Sequence, residues 1–304
     1  MAKLNLINIC LFVFCISLFN IQTKCFDESS WLYKKQAALF IFGDSQFDAG
    51  NNNYINTTTG KANYWPYGET FFHYPTGRFC DGRLVPDFIV QYAKLPFIPP
   101  YLPPRNKLFI NGVNFASAGA GALAETRKGS VIDLETQLGY FKNISRVLKE
   151  KLGDTEAEAL ISKAVYLFSV GGNDYSFPFE TNSSVLYTYS VEQFVGQVIG
   201  NITQVIKEIY EVGGRKFGFP SMWPLGCFKE GKVACCGSGP YRGILSCGGR
   251  RGVTEYYLCD NVNEYVFFDS SHPTERAYKL LAQLAWSGEP SVTGSYNLKA
   301  LFES

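Results

Sequence analysis

Four short, mainly apolar runs are spread along the chain, and three of them end directly before glycine or proline. They cover residues 37–42, 112–116, 164–170 and 216–219. Continuous apolar runs of this length, without polar alternation, are typical of strands that are buried on both faces of a sheet. The pattern therefore predicts four strands of a parallel sheet with helices on both sides.

The segments between these runs carry apolar residues at helical spacing. The clearest is residues 191–212, in which apolar side chains recur every three or four positions and Gly213 follows as a C-terminal cap. Further helices are predicted at 84–93, 134–152, 156–163 and 273–286. Strands that alternate with helices predict a doubly wound α/β domain, whose ligands gather outside the carboxyl ends of the strands.

Composition predicts a large core and argues against one class of partner. Of 304 residues, 46% are hydrophobic and 18% are charged, so one large domain is expected. The net charge is +1 and the charges are mixed without a basic run, which argues against nucleic-acid binding. Aromatic residues make up 16% of the chain, which suits a large core and leaves open an apolar substrate surface.

Residues 1–25 have the pattern of a signal peptide. Lys3 precedes an apolar run at 4–21, and the small-x-small pattern at 23–25 is a candidate cleavage site. A membrane anchor is the alternative, since about 18 residues is near the lower limit for a span. Polar interruptions and the lack of a flanking basic cluster favour a removed signal peptide, which leaves residues 26–304 as a single domain. No other stretch of the sequence is long enough to cross a bilayer.

Secretion predicts N-glycosylation and disulfide bonds, and the sequence offers residues for both. Acceptor sequences for N-glycosylation occur at Asn56, Asn143, Asn182 and Asn201. Three of the nine cysteines lie in the leader or at its edge. Disulfides of open connectivity are expected among the other six, which are Cys80, Cys227, Cys235, Cys236, Cys247 and Cys259. Metal binding is the weaker alternative, because no C-x-x-C pair or nearby histidine accompanies them.

Polar and glycine-rich residues follow three of the four predicted strands. Ser45 comes shortly after the first strand, Gly119 after the second and Asn173 after the third. Because parallel strands end at one edge of a sheet, these three residues are expected around one point. One of the only two histidines, His272, follows Asp269 by three residues in a C-terminal loop. A serine, a histidine and an aspartate are the parts of a hydrolytic triad.

In their order along the chain, Ser45, Gly119, Asn173 and His272 match the invariant residues that give the SGNH hydrolases their name. The flanking sequences resemble the plant GDSL esterase/lipases in particular: GDSQFDAGNNNY, GVNFASAGAGAL, VGGNDY and FFDSSHPTERAY. The four ordered blocks cover nearly the whole mature chain, so the resemblance is specific. It implies a three-layer α/β/α, flavodoxin-like fold. The serine does not stand in a G-x-S-x-G elbow, which argues against the α/β-hydrolase family.

The resemblance implies a role for each of these residues. Ser45 would be the nucleophile, His272 the general base and then the acid, and Asp269 the residue that orients the imidazole. The backbone N–H groups of Ser45 and Gly119 and the side-chain amide of Asn173 would form an oxyanion hole. Such an enzyme hydrolyses esters of lipids or other acyl compounds without a metal or an organic cofactor.

Each block taken alone has a simpler interpretation. Asp269, Ser270 or Ser271 would serve as a cap for the helix that follows. Gly119 and Gly121 would form an ordinary strand-to-helix turn, and Asn173-Asp174 another turn. His73 is interpreted as a loop residue, and Asp44 as an acceptor for local backbone N–H groups rather than a second catalytic acid. The occurrence of all four blocks in one order favours the hydrolytic hypothesis.

The chain departs from the family pattern at two places. Gln46 stands next to the nucleophile where the motif has leucine, and little consequence is expected. Directly after Cys227, a segment of several dozen residues with a long helix and a further strand is missing compared with the family. The fold is therefore expected to lack its last strand, which makes the fourth predicted strand an edge with unpaired backbone groups.

Two hypotheses of function follow. The first is a secreted, extracellular serine esterase or lipase of the apoplast or cell wall that acts on lipid or other esters. The second is a catalytically impaired relative that binds a partner or a lipid, or a non-functional shortened product. The intact Ser45, Asp269 and His272 favour the first hypothesis. The missing segment favours the second, because the rate depends on accurate placement of the reacting groups.

Overall fold

A four-stranded parallel sheet forms the centre of the computed structural model, which describes residues 37–57, 60–102, 109–220 and 228–304. The strands are β1 (Leu39–Gly43), β2 (Gly112–Asn114), β3 (Val165–Ser169) and β4 (Lys216–Gly218). Their order across the sheet is β2-β1-β3-β4, and every neighbouring pair is parallel. All four predicted strands are therefore confirmed. The predicted leader and Cys227 lie outside the described residues.

Helices connect and flank the strands. The described helices are α1 (Val85–Tyr92), α2 (Leu134–Leu152), α3 (Asp154–Lys163), α4 (Gly172–Thr181), α5 (Val185–Thr188), α6 (Val191–Val212), α7 (Glu275–Ser287), α8 (Pro290–Thr293) and α9 (Leu298–Glu303). The five predicted helices are present with small shifts at their ends, and Gly213 caps α6 at a φ of 123°. None of the helices in the described ranges is long and apolar enough to cross a membrane.

The side chains of β1 alternate between two separate cores, one on each face of the sheet. Leu39 and Ile41 pack into a core with α1 and α7, whereas Phe40 and Phe42 pack into a core with α2, α3 and α6. Each of these four side chains is almost fully buried, and burying one contributes about 1.5–3 kcal/mol. A sheet with helices on both faces is a three-layer α/β/α fold, as the resemblance implied.

A third, smaller core lies beside the loop that precedes α7. It contains two short antiparallel strands, β5 (Cys236–Gly237) and β6 (Tyr257–Leu258). Two disulfides cross this region, Cys235–Cys259 and Cys236–Cys247. The expectation that Cys80 also joins a disulfide is wrong for the described residues, because its thiol is free and buried. The Cys80 sulfur instead accepts a hydrogen bond from the N–H of Gly82 at 3.3 Å.

β4 is a terminal strand of the described sheet, because it pairs with β3 on one side only. No further strand pairs with its other side within the described ranges, which agrees with the expectation for the fourth strand. The aromatic ring of Phe219, just beyond β4, stacks on Phe168 at 5.0 Å and is 49% exposed.

Helix α6 carries a second apolar flank beside the one that faces the sheet. Val198, Val205 and Ile209 are buried, and Glu208 forms an ion pair with Lys142 of α2. At 3.6 residues per turn, a further set of apolar residues falls on the flank away from α2. This set, the α6 outer flank, consists of Val195, Ile199, Ile202, Ile206 and Tyr210, all of which are half-buried or exposed. Ile202 and Ile206 still pack against the edge of the core, whereas Ile199 and Tyr210 are 56% and 54% exposed.

Candidate active site

Ser45 lies in a tight turn directly after β1. The N–H of Asp44 donates to the carbonyl of Ser169 at 3.0 Å, which continues the pairing of β1 with β3 for one residue. The N–H groups of Phe47 and Asp48 then donate back to the carbonyl of Asp44. The chain therefore reverses around Ser45, and its half-buried side chain stands at the carboxyl edge of the sheet.

Ser45, His272 and Asp269 form one continuous chain of hydrogen bonds. Ser45 Oγ and His272 Nε2 lie 2.8 Å apart, and His272 Nδ1 and Asp269 Oδ1 lie 2.6 Å apart. Because an ionised carboxylate only accepts, the imidazole donates from Nδ1 and its Nε2 accepts from the serine hydroxyl. The structure thus brings His272 together with Ser45, which lies 227 positions before it, and with Asp269, which lies 3 positions before it.

The Asp269–His272 loop is shaped by its own sequence. Asp269 Oδ1 accepts from the N–H groups of Ser271 and His272, each at 2.9 Å, which is the local turn that aspartate favours. Thr274, and not Asp269 or Ser271, caps α7, because its side chain accepts from the N–H of Ala277. The simpler interpretation of this run as a helix cap is therefore wrong for Asp269, and the carboxylate remains available to the histidine.

The environment of Asp269 keeps its carboxylate ionised. Burial, the largest influence, would raise its pKa, because Asp269 is fully buried. The charge of His272 and the hydrogen bonds from His272, Tyr67 and Ser271 outweigh it and hold the pKa at about 2. Tyr67 Oη donates to Asp269 Oδ2 at 2.7 Å. Sequence reasoning missed this tyrosine, which belongs to none of the four blocks.

The three candidate oxyanion donors, Ser45, Gly119 and Asn173, follow β1, β2 and β3 at the carboxyl ends of these parallel strands. Among the described residues, no acceptor takes the backbone N–H groups of Ser45 and Gly119. Asn173 Nδ2 donates to the carbonyl of Ala120 at 3.0 Å, which ties its amide to the residue after Gly119. An amide nitrogen has two hydrogens, so one remains for another acceptor. Gly119 itself has a φ of 89°, a conformation that glycine adopts readily.

Asp174 joins the loop after β2 to the start of α4. Its carboxylate accepts from the N–H groups of Ala122 and Leu123 and from the hydroxyl of Thr126, at 2.7–3.0 Å. A Cβ atom on Gly121 would stand 2.3 Å from Asp174 Oδ1, so only glycine fits there. Asp174 therefore fixes its neighbour Asn173 and the Gly119 loop relative to each other. The Asn-Asp turn was noted in the sequence, but this partnership was not predicted.

Asp48 makes a second link between the loops. Its Oδ1 accepts from the N–H groups of Gly50 and Asn51, each at 2.7 Å, and its Oδ2 accepts from the N–H of Ala118 at 3.0 Å. Burial raises the pKa of Asp48 to about 6, although these backbone donors oppose the shift. The turn that carries Ser45 is thus held against the loop that carries Gly119. Sequence reasoning missed Asp48 as well.

Gln137 of α2 fixes the end of β1 from the other side. Its Oε1 accepts from the N–H of Gly43 at 2.9 Å, and its Nε2 donates to the carbonyls of Gly43 and Ile132 at 2.9 and 2.8 Å. A buried glutamine that bonds both backbone groups of one residue leaves that residue little freedom.

Asp44 and His73, for which the sequence predicts no catalytic role, make no hydrogen bond to Ser45, His272 or Asp269 among the described residues. Asp44 Oδ1 accepts from the N–H of Gln46 at 3.0 Å, and burial raises its pKa to about 6. His73 is exposed, and its Nδ1 lies 3.1 Å from the carbonyl of Glu69. Gln46 makes a contact that a leucine could not make, because its Oε1 accepts from the hydroxyl of Tyr278 at 2.6 Å.

The arrangement suits acyl transfer. A serine hydroxyl bonded to a histidine, which is bonded to a buried carboxylate, is a nucleophile with its base and with a residue that orients the base. Donors on the adjacent loops can stabilise the negative charge that develops on a carbonyl oxygen. In the described part of the chain, no group of three or more histidine, cysteine or acidic side chains could hold a metal ion.

A protein-family model matches this chain over residues 39–243. Its description is GDSL-like Lipase/Acylhydrolase, and the match includes β1 to β4 with Ser45, Gly119 and Asn173. Asp269 and His272 lie beyond the matched range.

Two plant proteins are similar to the chain over nearly its whole length. "GDSL esterase/lipase 1" of Arabidopsis thaliana is 45% identical to it, with 100% of both chains covered. "GDSL lipase" of Tanacetum cinerariifolium is 44% identical, with 96% of this chain and 92% of the relative covered. The first alignment extends over 373 positions, 69 more than the 304 residues of this chain. The Arabidopsis relative therefore has residues without a counterpart here.

Proposed function

This chain belongs to the GDSL-like lipase/acylhydrolase family, and from that premise we propose that it is a secreted serine esterase or lipase. Its family makes it a carboxylic ester hydrolase. The proposed substrates are esters of lipids or other acyl esters, and the proposed route passes through an acyl-enzyme on Ser45.

In the proposed first step, the hydroxyl of Ser45 attacks the carbonyl carbon of the ester while His272 Nε2 accepts its proton. A bond forms between Ser45 Oγ and that carbon, and the carbonyl oxygen takes up the negative charge. When this adduct collapses, the bond to the alcohol breaks and the imidazolium returns the proton to the leaving oxygen. Water then attacks the acyl-enzyme with His272 as the base, which releases the acid and restores Ser45.

Two features lower the energy of the charged states in this proposal. The ionised Asp269 stabilises the imidazolium and keeps the imidazole in the tautomer that accepts at Nε2. The N–H groups of Ser45 and Gly119 and the side chain of Asn173 donate to the oxyanion. Each such donor typically contributes about 10²–10³ in rate.

One observation carries the proposal. Ser45 Oγ, both imidazole nitrogens and Asp269 Oδ1 lie in one unbroken chain of 2.8 and 2.6 Å contacts. The 69 positions of the Arabidopsis alignment that have no residue here do not interrupt these contacts. The local turn of Asp269 and the backbone contacts of residues 267 and 268 hold the Asp269–His272 part in place.

Secretion is part of the proposal. The apolar leader of residues 1–25 supports export to the apoplast or cell wall. Asn56, Asn182 and Asn201 are exposed and are accordingly the favoured sites of N-glycosylation. Asn143 is half-buried on α2, and its Nδ2 donates to the hydroxyl of Tyr101 at 3.3 Å, so it is the least favoured of the four.

A non-catalytic relative that binds a lipid or a partner is the second candidate function. Its support is the alignment with the Arabidopsis relative, which leaves 69 positions without a residue of this chain. We infer that these positions follow Cys227, where the exposed edge of β4 and the α6 outer flank would receive a further strand and helix. The two candidates differ in whether Ser45 reacts.

Hydrolysis of p-nitrophenyl esters of increasing acyl length tests the proposal. Purified secreted protein is compared with the Ser45→Ala variant at matched concentration, and both are checked for cooperative unfolding. We expect turnover in the wild type that falls by at least about 10³-fold in the variant. A cooperatively folded wild type without turnover on any chain length would support the binding function instead.

A further inference from the structure

We propose that Tyr67 is a positioning residue for the proposed reaction. Its hydroxyl holds Oδ2 of Asp269, the carboxylate oxygen that does not contact His272, and so sets the orientation and basicity of His272. The inference rests on the proposed function. Tyr67 acts through Asp269 and does not touch the reacting atoms. It stands outside the four sequence blocks and 202 positions from Asp269.

The hydrogen bonds of Asp269 are divided between its two oxygens. Oδ1 accepts from the N–H groups of Ser271 and His272 and from the imidazole of His272. Oδ2 accepts from the hydroxyl of Tyr67 at 2.7 Å, the single donor to this oxygen among the described residues. The three bonds to Oδ1 come from the loop that carries Asp269 itself. The bond to Oδ2 therefore fixes the rotation of the carboxylate about its Cβ–Cγ bond from outside that loop.

Arg251 fixes the direction of the Tyr67 hydroxyl. Its Nη1 donates to Tyr67 Oη at 3.0 Å and to the carbonyl of Cys247 at 3.3 Å. A guanidinium has donors only, so Tyr67 must accept from Arg251 and direct its own hydrogen to Asp269. Burial, the largest influence, raises the pKa of Tyr67 well above its usual value, so the phenol keeps its proton. Cys247 belongs to a disulfide with Cys236, which anchors this support.

The ring of Tyr67 is as firmly held as its hydroxyl. It is fully buried and makes edge contacts with Phe79 at 5.7 Å and with Phe268 at 5.4 Å. Phe79 in turn lies 4.7 Å from the ring of His272, and Phe268 directly precedes Asp269. Packing around the buried ring holds its hydroxyl in one place, as the accurate placement of a catalytic group requires.

Other titratable and charged groups also face the Asp269–His272 pair and enter the pH dependence. Tyr64 and Arg251 lie on the side of Tyr67, whereas Asp44 and Tyr278 approach from the side of β1 and α7. A change confined to the Tyr67 hydroxyl removes its bonds to Asp269 and Arg251 and leaves Tyr64, Asp44 and Tyr278 unchanged. A pH shift seen on that change alone is therefore assigned to the Tyr67 hydroxyl and its two bonds.

The test is Tyr67→Phe, with Tyr64→Phe as the matched control. Tyr64 lies against Tyr67 at 5.6 Å, and its hydroxyl has no hydrogen-bond partner among the described residues. In Tyr67→Phe we expect kcat on a p-nitrophenyl ester to fall about 10-fold, with KM within about 2-fold. The acid limb of the kcat/KM profile should move about half a pH unit upward, because a carboxylate with fewer donors stabilises the imidazolium more. Tyr64→Phe should change none of these.

A second readout does not depend on turnover. The low-field proton resonance of His272 Nδ1–H is recorded by NMR in the wild type and both variants, and it should move in Tyr67→Phe alone. Incorporation of 3-fluorotyrosine at position 67 keeps the packing and strengthens the donor, so the acid limb should move downward. Equal kinetics and resonances in the two phenylalanine variants would overturn the proposal. An inactive but folded wild type would instead contradict the proposed function, and the resonance would still test the role of Tyr67.

Discussion

Three buried aspartates, Asp48, Asp174 and Asp269, organise the candidate site at the scale of single residues. Each is almost fully buried, and each accepts hydrogen bonds from backbone N–H groups of a loop at the sheet edge. A buried carboxylate without donors would cost several kcal/mol, so these residues keep their loops in one conformation. Asp48 and Asp174, which take no part in the proposed chemistry, hold the loops that carry Ser45, Gly119 and Asn173.

The stability of the protein should depend on pH through Asp269. Its pKa is about 2 in the folded protein, below the ordinary value of 3.8, so its contribution is present above that ordinary value. The contribution is lost as the pH falls through the folded value. Urea unfolding of wild type and Asp269→Asn should therefore differ by about 2 kcal/mol near neutral pH and converge between about pH 5 and 2.

The exposed Asp260 supplies the control for this titration. The Asp260→Asn variant should track the wild type within about 0.5 kcal/mol at every pH. A gap between wild type and Asp269→Asn that stays constant down to pH 2 would contradict the assignment of a lowered pKa to Asp269.

Asn173 should matter for the rate and little for binding. If its side-chain amide donates to the oxyanion, Asn173→Ala should lower kcat about 10²–10³-fold with KM nearly unchanged. Steady-state kinetics on a p-nitrophenyl ester, with thermal unfolding of the same sample, measures both. A variant that keeps wild-type kcat would remove Asn173 from the proposed oxyanion hole.

At the scale of elements, the loop that carries Asp269 and His272 depends on the disulfide-bonded region. The N–H groups of Cys235 and Cys236 donate to the carbonyls of Phe267 and Phe268, just before Asp269. The disulfides of these two cysteines are closed by Cys259 and Cys247. The small region outside the main sheet therefore serves as the support of the loop that completes the site.

The two apolar flanks of α6 should differ in their contribution to stability. Ile209 is fully buried against the sheet, whereas Ile199 on the α6 outer flank is 56% exposed. Ile209→Ala should lower the free energy of unfolding by about 2–5 kcal/mol, and Ile199→Ala by less than about 1 kcal/mol. Urea unfolding of both variants at low protein concentration measures the two losses in the free energy of unfolding. Equal losses would mean that another part of the protein covers the outer flank.

At the scale of the whole molecule, the sequence predicted the layers and the sheet because its strands are continuously apolar. Residues 37–42 and 164–170 read as buried strands, and β1 and β3 lie there. α4 was not predicted, since Pro178 interrupts its helical pattern, and α8 and α9 are too short to show a period.

The candidate site was predictable only in part. Ser45, Gly119, Asn173 and His272 could be named because they stand in ordered blocks, and the structure brings Ser45 and His272 into contact. The partners of these blocks could not be named from the sequence. Asp48 contacts a residue 70 positions away and Tyr67 one 202 positions away, and no local pattern records such contacts.

The central claim is that Ser45 is an activated nucleophile. Labelling of the secreted, cooperatively folded protein with a fluorophosphonate, followed by peptide mass analysis, tests it most directly. The account predicts one covalent adduct, on Ser45, which is absent from Ser45→Ala. A folded wild type that takes up no probe, or an adduct that persists at another residue in Ser45→Ala, would contradict it.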